Sequence, residues 1–319
     1  MNKRTRGIIL IVGSKLLTKS LILEINIVLT FFTMKNIIIP KNKKDLIKSL
    51  SNYSVNSKII AGGTDLMIGI RSGFLDPDYL ISLENLKLDY ISEKKSKVVI
   101  GSTCLVSSLA KSELIIEKFP LLVDACLSLG SPPIQNLATI GGNVANASPA
   151  ADLILPLITY EAKAKISGPF DSRLENVENI FTGPKVTILK QDEFIEEFEL
   201  PILKEEEGIT NFYQFYKSAA RVSQIIAVAN ACFLISIKKG KICKARLSAG
   251  CVYKTPLRLF ELEKYLKGSE ISKELISGAE ALLLKSVFPI NDVRGSAVYK
   301  TKLVNNYFRH FMEGILCQI

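Results

Sequence analysis

The chain has 319 residues, 48% of them apolar and 23% charged, enough length and apolar content for two domains with a core each. A single histidine, His310, argues against the imidazole-rich zinc and copper sites. The six cysteines (Cys104, Cys126, Cys232, Cys243, Cys251 and Cys317) show neither C-x-x-C pairs nor iron–sulfur spacing, and read as reduced thiols of a cytosolic protein. The formal charge of +10 rests on lysines that are scattered, often beside Glu or Asp, so they read as a solvated face and not as a nucleic-acid-binding stripe.

Residues 1–33 differ from the rest. Lys3, Arg4 and Arg6 precede the apolar runs Ile8 to Val12 and Leu21 to Phe32, which raises a signal peptide or membrane anchor. Lys15, Lys19 and Glu24 break the run before it reaches the roughly 18 clean residues a span needs. No small-residue cleavage site stands near Phe31-Phe32-Thr33. A fresh start at Met34 makes 1–33 an N-terminal extension outside the fold.

From Met34 on, short elements follow one another. Ile37 to Ile39 reads as a strand and Lys43 to Leu50 as a helix, with Leu46, Ile47 and Leu50 on one face. Strands are expected at Lys58 to Ala61, Tyr79 to Leu83 and Lys97 to Gly101, and helices at Val106 to Lys111 and Leu121 to Leu129. Gly130 to Pro149 reads as a long loop, a length that usually serves function inside a compact domain. Charged turns around Pro169 to Gln191 lead to a strand at Phe194 to Leu200.

Lys204 to Gly208 reads as a linker. Beyond it, an aromatic strand ends before Lys217. Ile225 to Ile237 is nearly all apolar and fits a buried strand, with Ala245 to Val252 as its neighbour. Leu257 to Leu266, Lys273 to Val287 and Gly295 to Met312 read as helices. In the last, Tyr299, Leu303, Tyr307 and Phe311 recur every four residues. Strands followed by helices make each half α+β, with boundaries at 34–207 and 208–319.

Three constellations could carry chemistry. In Ile60-Ala61-Gly62-Gly63-Thr64-Asp65-Leu66 a strand ends in paired glycines and a hydroxyl, which lets consecutive N–H groups face one phosphate; it is neither Walker A nor G-x-G-x-x-G, and a plain turn is the alternative. Thr139-Ile140-Gly141-Gly142-Asn143 repeats the logic. It adds Asn146 and Asp152, although Asp152 could equally cap a helix at Leu153 to Leu157. Lys217 could oppose negative charge on a reduced flavin, or lie in solvent at a strand end. No Ser-His-Asp, Cys-His or paired-carboxylate set assembles, so no catalytic residue is assigned, and no metal site.

Taken in order, these motifs resemble the FAD-binding medium subunit of the molybdopterin-dependent hydroxylases: xanthine, carbon monoxide and nicotinate dehydrogenases. Ala61 to Leu66, Thr139 to Asn143, Pro149-Ala150-Ala151-Asp152, Lys217, Ala245 to Pro256 and Asp292 to Ala297 carry the resemblance. It spans residue 34 to the end. It implies an α+β fold, a two-lobed FAD-binding domain of the PCMH type (as in the vanillyl-alcohol-oxidase-like FAD fold) followed by a smaller α+β C-terminal domain. By the same resemblance, Ile60 to Leu66 and Thr139 to Asn143 cradle FAD, and Asp152, Ile195 and Lys217 complete the site. Where the family often has Ile-Arg-Asn, this chain has Ile134-Gln135-Asn136.

The resemblance implies a cytoplasmic electron-transfer subunit of xanthine dehydrogenase type. It would take electrons from a [2Fe–2S] small subunit, serve a molybdopterin-binding large subunit, and pass electrons from FAD to NAD, with no nucleic-acid or membrane partner. A related hydroxylase with another substrate and acceptor is the alternative, and a basic, non-enzymatic binding protein is the rival from another class.

Overall fold

A computed structural model describes residues 36–53, 56–203, 206–219 and 226–319. The extension expected at 1–33, the start at Met34 and the first residue of the strand expected from Ile225 lie outside the described residues. All described residues but Asn36 belong to one unit, Ile37–Ile319.

Asn42 accepts the Asp45 N–H at 2.9 Å and starts α1 (Lys43–Asn52), whose Leu46 and Leu50 share a buried face. Strand β1 (Asn36–Ile38) precedes it, and β2 (Ser57–Ile60), α2 (Leu66–Arg71) and β3 (Tyr79–Ser82) follow. The three strands form a sheet in the order β1-β3-β2, with β2 and β3 parallel and Ile60 opposite Ser82. The first glycine loop therefore leaves the carboxyl end of a parallel strand.

The next part of the chain builds a second lobe. Strands β4 (Ile91–Lys94) and β5 (Lys97–Gly101) lead to helices α3 (Val106–Lys111), α4 (Glu113–Lys118) and α5 (Pro120–Ser128). The stretch expected to be loop, Gly130 to Pro149, contains two short helices, α6 (Pro132–Gln135) and α7 (Ile140–Ala145). Pro132 at the start of α6 and Thr139 at the start of α7 supply their termini. After α8 (Ile154–Thr159) come β6 (Lys163–Ser167), β7 (Ser172–Asn176), β8 (Phe181–Gly183), β9 (Val186–Thr187) and β10 (Phe194–Pro201). Strands β7 to β9 replace much of the charged turns expected at Pro169 to Gln191. They are short and mostly exposed or half-exposed, so the apolar run that marks a strand is missing. The five-stranded sheet runs β4-β5-β10-β6-β7, antiparallel throughout.

The last part packs a four-stranded antiparallel sheet against three helices. Its strands are β11 (Ile209–Ser218), β12 (Ala229–Lys238), β13 (Lys241–Gly250) and β14 (Leu257–Arg258), in that order. Helices α9 (Phe260–Leu266), α10 (Lys273–Ser286) and α11 (Ala297–Leu316) follow. The helix expected from Leu257 starts only at Phe260, because Leu257 and Arg258 pair with Ala249 and Ser248.

Strand β12 explains its own composition. Ala231, Phe233, Ile235 and Ile237 face the core under α9 to α11, while Cys232 and Leu234 join the core of α3 to α8. A strand buried on both faces needs no polar alternation. Phe215 of β11 also enters the first core, so the C-terminal sheet is held between the two helical layers.

Candidate functional site

The first loop is shaped by two glycines with different tasks. A Cβ on Gly62 would lie 1.7 Å from the Leu137 carbonyl oxygen, so this residue lets the two loops touch backbone to backbone. Gly63 has φ +68°, where an L side chain is strained. The chain reverses there and enters α2, with the Met67 N–H on the Gly63 carbonyl at 3.0 Å. Four N–H groups in a row, those of Gly62, Gly63, Thr64 and Asp65, have no acceptor among the described residues. Ile60 to Thr64 are half-buried and Leu66 is partly covered, so the row of donors borders solvent.

The second loop divides its glycines in the same way. A Cβ on Gly141 would lie 2.6 Å from both Cβ and O of Ser102, and the Gly141 N–H donates to that oxygen at 2.8 Å. Gly142 is exposed, and a Cβ there would meet only Thr139 Oγ1, at 2.9 Å. Thr139 caps α7 by accepting the Gly142 N–H at 3.0 Å. The N–H of Ile140 goes to the Cys104 carbonyl and that of Asn143 to Thr139. Unlike the first loop, this one keeps the N–H groups of Ile140 to Asn143 occupied. What it leaves free is Asn143 Oδ1, buried and without a hydrogen-bond partner among the described residues.

A residue not singled out in the sequence joins the loops. Lys185, in the turn between β8 and β9, places Nζ 2.9 Å from Asp65 Oδ2 and 2.7 Å from Asn146 Oδ1. Its N–H donates to the Ala147 carbonyl at 2.9 Å. Its only signal is the turn dipeptide Gly183-Pro184 in front of it.

Ile195 lies on β10 where the register against β6 slips between Ile195 and Glu197. The bulge turns the Glu196 carbonyl to the Ser102 N–H at 3.0 Å, and Ile195 shares the core of Ile140 and Val144. It supports the second loop from below.

Asp152 and Lys217 meet each other, not the loops. Lys217 sits within β11, one residue from its end, and its Nζ is 2.5 Å from Asp152 Oδ2 and 2.8 Å from the Ser128 carbonyl. Buried Asn230 donates to Asp152 Oδ1 at 3.0 Å. Asp152 does not cap the following helix, which starts at Ile154 behind Leu153. Burial pushes the Asp152 carboxyl above the ordinary carboxylate range, opposed by Lys217 and Asn230. Gln135, standing in for the family's arginine, donates to the Leu127 and Leu129 carbonyls at 3.3 and 3.0 Å. Lys217 and Gln135 thus together satisfy the C-terminal carbonyls of α5.

These features fit a dinucleotide carrying a diphosphate. An anion requires donors that are free and close, and the Gly62–Asp65 row supplies them, with no Cβ at Gly62 and Gly63 to screen its first half. A sugar or ring N–H needs an acceptor, and Asn143 Oδ1 is one already buried without a partner. The fold is α+β, and its two glycine loops offer donors and an acceptor of the kind a dinucleotide needs.

Comparison with known proteins gives the family. Residues 32–203 match the FAD binding domain in molybdopterin dehydrogenase, and residues 214–315 the CO dehydrogenase flavoprotein C-terminal domain. The chain belongs to this family, is an oxidoreductase subunit and takes FAD as cofactor. It is 27% identical over 250 residues to the glyceraldehyde dehydrogenase medium chain of Sulfolobus acidocaldarius, covering 78% of this chain and 87% of the relative. It is 28% identical over 286 residues to the nicotinate dehydrogenase FAD-subunit of Eubacterium barkeri, covering 88% and 95%. A solved carbon monoxide dehydrogenase from Hydrogenophaga pseudoflava superposes with a TM-score of 0.83 at 26% identity, covering 88% of this chain and 96% of that one.

Proposed function

We propose that this chain is the electron-transfer subunit of a cytoplasmic, heterotrimeric molybdenum hydroxylase of xanthine dehydrogenase type. Its partners are a molybdopterin-binding large subunit and a [2Fe–2S] small subunit, and its electron acceptor is NAD. The observation that carries the reading is the row of four free N–H groups at Gly62 to Asp65, held against the second loop by the Gly62–Leu137 contact.

In this reading Ile60, Ala61, Gly62, Gly63, Thr64, Asp65 and Leu66 form one wall of the FAD site. Thr139, Ile140, Gly141, Gly142 and Asn143 form the other, with Ile195 packed behind it, and Asp152 ahead of α8 and Lys217 on β11 complete it. FAD supplies the redox chemistry, accepting electrons singly or in pairs. The protein binds and orients it, and sets the charge around it. The domains run 34–207 and 208–319, with 1–33 an extension outside them, so a chain beginning at Met34 should bind FAD as the full chain does. Among the described residues no helix is long and apolar enough to cross a membrane.

A second reading has equal support from the relatives, whose names specify glyceraldehyde, nicotinate and carbon monoxide: a hydroxylase for another small substrate, with another acceptor. Purification of the complex, followed by anaerobic addition of xanthine, nicotinate, glyceraldehyde or carbon monoxide, separates the two. Bleaching of the flavin band by xanthine with NADH formation supports the first. Bleaching by one of the others with xanthine inert supports the second.

A further inference from the structure

We propose that Lys185 is a positioning residue for the flavin, a clamp that fixes the spacing of the two glycine loops. The inference rests on the reading of those loops as the FAD site. Three bonds place it: Nζ to Asp65 Oδ2 at 2.9 Å, Nζ to Asn146 Oδ1 at 2.7 Å, and its N–H to the Ala147 carbonyl at 2.9 Å. Asp65 directly follows Thr64 at the end of the free N–H row. Asn146 caps the C-terminus of α7, the helix that carries Gly141 and Gly142. One ammonium therefore ties the outer ends of both loops, while Gly62 against Leu137 ties their inner ends.

The backbone is committed to this geometry. Lys185 has φ +61° and Ala147 φ +49°, conformations that residues with a Cβ adopt at a cost, and the bond between them joins two strained positions. A side chain wanted only for solubility would need neither. The lysine also pairs with the Asp65 carboxylate at 2.9 Å and so offsets a negative charge on the residue that ends the donor row. Lys185 acts through Asp65 and Asn146, so its effect is on loop spacing and local charge.

The test is made on the full chain as purified, stripped of flavin and titrated with FAD by fluorescence quenching. Lys185→Ala should weaken FAD about three- to tenfold, the effect of losing one or two partly exposed charged hydrogen bonds. The flavin-free melting temperature should stay put. Lys185→Arg, which keeps the charge and can bridge both acceptors, should restore most of the affinity. Asp65→Asn should give a similar loss, and Lys185→Ala with Asp65→Asn no more than the larger single loss, since both break one clamp.

Affinity within twofold of wild type in Lys185→Ala overturns the proposal. So does an affinity loss that follows a lower flavin-free melting temperature without rescue by arginine, or losses that add in the double variant. Gly142→Val serves as the control for the site itself. If it too leaves affinity unchanged, the loop assignment has failed; if it alone abolishes binding, only the clamp has failed.

Discussion

Lys217 Nζ and Asp152 Oδ2 lie 2.5 Å apart between β11 and the segment that leads into α8, with the two side chains 10% and 7% exposed. The pair joins the C-terminal sheet to the flavin-binding lobe, and Asn230 and the Ser128 carbonyl complete its hydrogen bonds. The sequence leaves Lys217 two roles, answering the charge on a reduced flavin or lying in solvent at a strand end, and its 10% exposure is against the second. In the structure a carboxylate already answers the lysine.

Two outcomes follow from the pairing. Lys217→Met leaves a carboxylate buried without its cation, which costs about 3–5 kcal/mol, and Asp152→Asn in the same chain should recover a large part. Urea unfolding of the single and double variants measures both. The flavin midpoint should fall by about 30 mV or less, equivalent to about 1.4 kcal/mol for a two-electron couple, because the field of a matched pair is weaker than that of a bare charge. Spectroelectrochemical titration reads that shift. Stability unchanged in Lys217→Met would show the pair to be incidental.

The first glycine turn, α1 and α11 were legible because their signals are local: paired glycines after a strand and beside Thr64, and apolar residues at helical spacing. Strand β12 was legible because burial on both faces leaves an apolar run. The Lys217–Asp152 pair was not, since its partners stand 65 positions apart and nothing in either segment names the other. Lys185 was missed for the same reason, its distance from Asp65 being 120 positions. Helices α6 and α7 were hidden by their length. Their four and six residues are too few for periodicity, and Gly141 and Gly142 weigh against a helix.

Arg258 should be irreplaceable by lysine. Its guanidinium, 7% exposed, reaches Glu263 at 3.0 Å, Glu161 at 3.0 Å and Glu178 at 3.1 Å, which joins the C-terminal sheet to the turn after α8. An ammonium cannot serve three carboxylates at that fork. Arg258→Lys and Arg258→Met should each lose stability, the latter by about 3 kcal/mol, because buried Glu263 keeps only Arg246 as a cation, at 3.7 Å, and Glu178 loses its cation, while half-exposed Glu161 keeps Arg246 at 3.0 Å. Denaturant midpoints at neutral pH check this.

Acid should expose the Glu193–Arg173 pair. Arg173 grips Glu193 with two hydrogen bonds, at 2.6 and 3.0 Å, and these hold the carboxyl below its ordinary value of 4.5. A carboxyl lowered on folding stabilises the protein above its unfolded value. That contribution is full above about pH 5 and is lost as the pH falls through the lower folded value. Wild type should therefore lose stability below about pH 5 more steeply than Glu193→Gln, which starts less stable and has no such proton to gain. Thermal melts across that range give both slopes, and parallel curves would rule the pair out as a source of acid sensitivity.

The two glycine pairs predict a crossed pattern of effects. Gly62 and Gly141 are small because protein backbone lies against them: a Cβ would stand 1.7 Å from the Leu137 oxygen and 2.6 Å from the Ser102 oxygen. Gly62→Ala must therefore push one loop off the other, a strain of about 1–3 kcal/mol. It should lower the melting temperature of the flavin-free chain and weaken FAD through the altered spacing. Gly142 is exposed, and a Cβ there meets only Thr139 Oγ1 at 2.9 Å, a group that can rotate at the cost of its cap. Gly142→Val should leave flavin-free stability within about 1 kcal/mol of wild type, the worth of that cap. Its branched side chain would stand on an exposed face, so if FAD lies against this loop as proposed, its occupancy should fall at least as far as in Gly62→Ala. Melting curves and flavin content of the two variants, each with and without added FAD, test the crossing. Equal stability losses would mean that both glycines serve packing. Full flavin occupancy in Gly142→Val would move the cofactor away from the second loop.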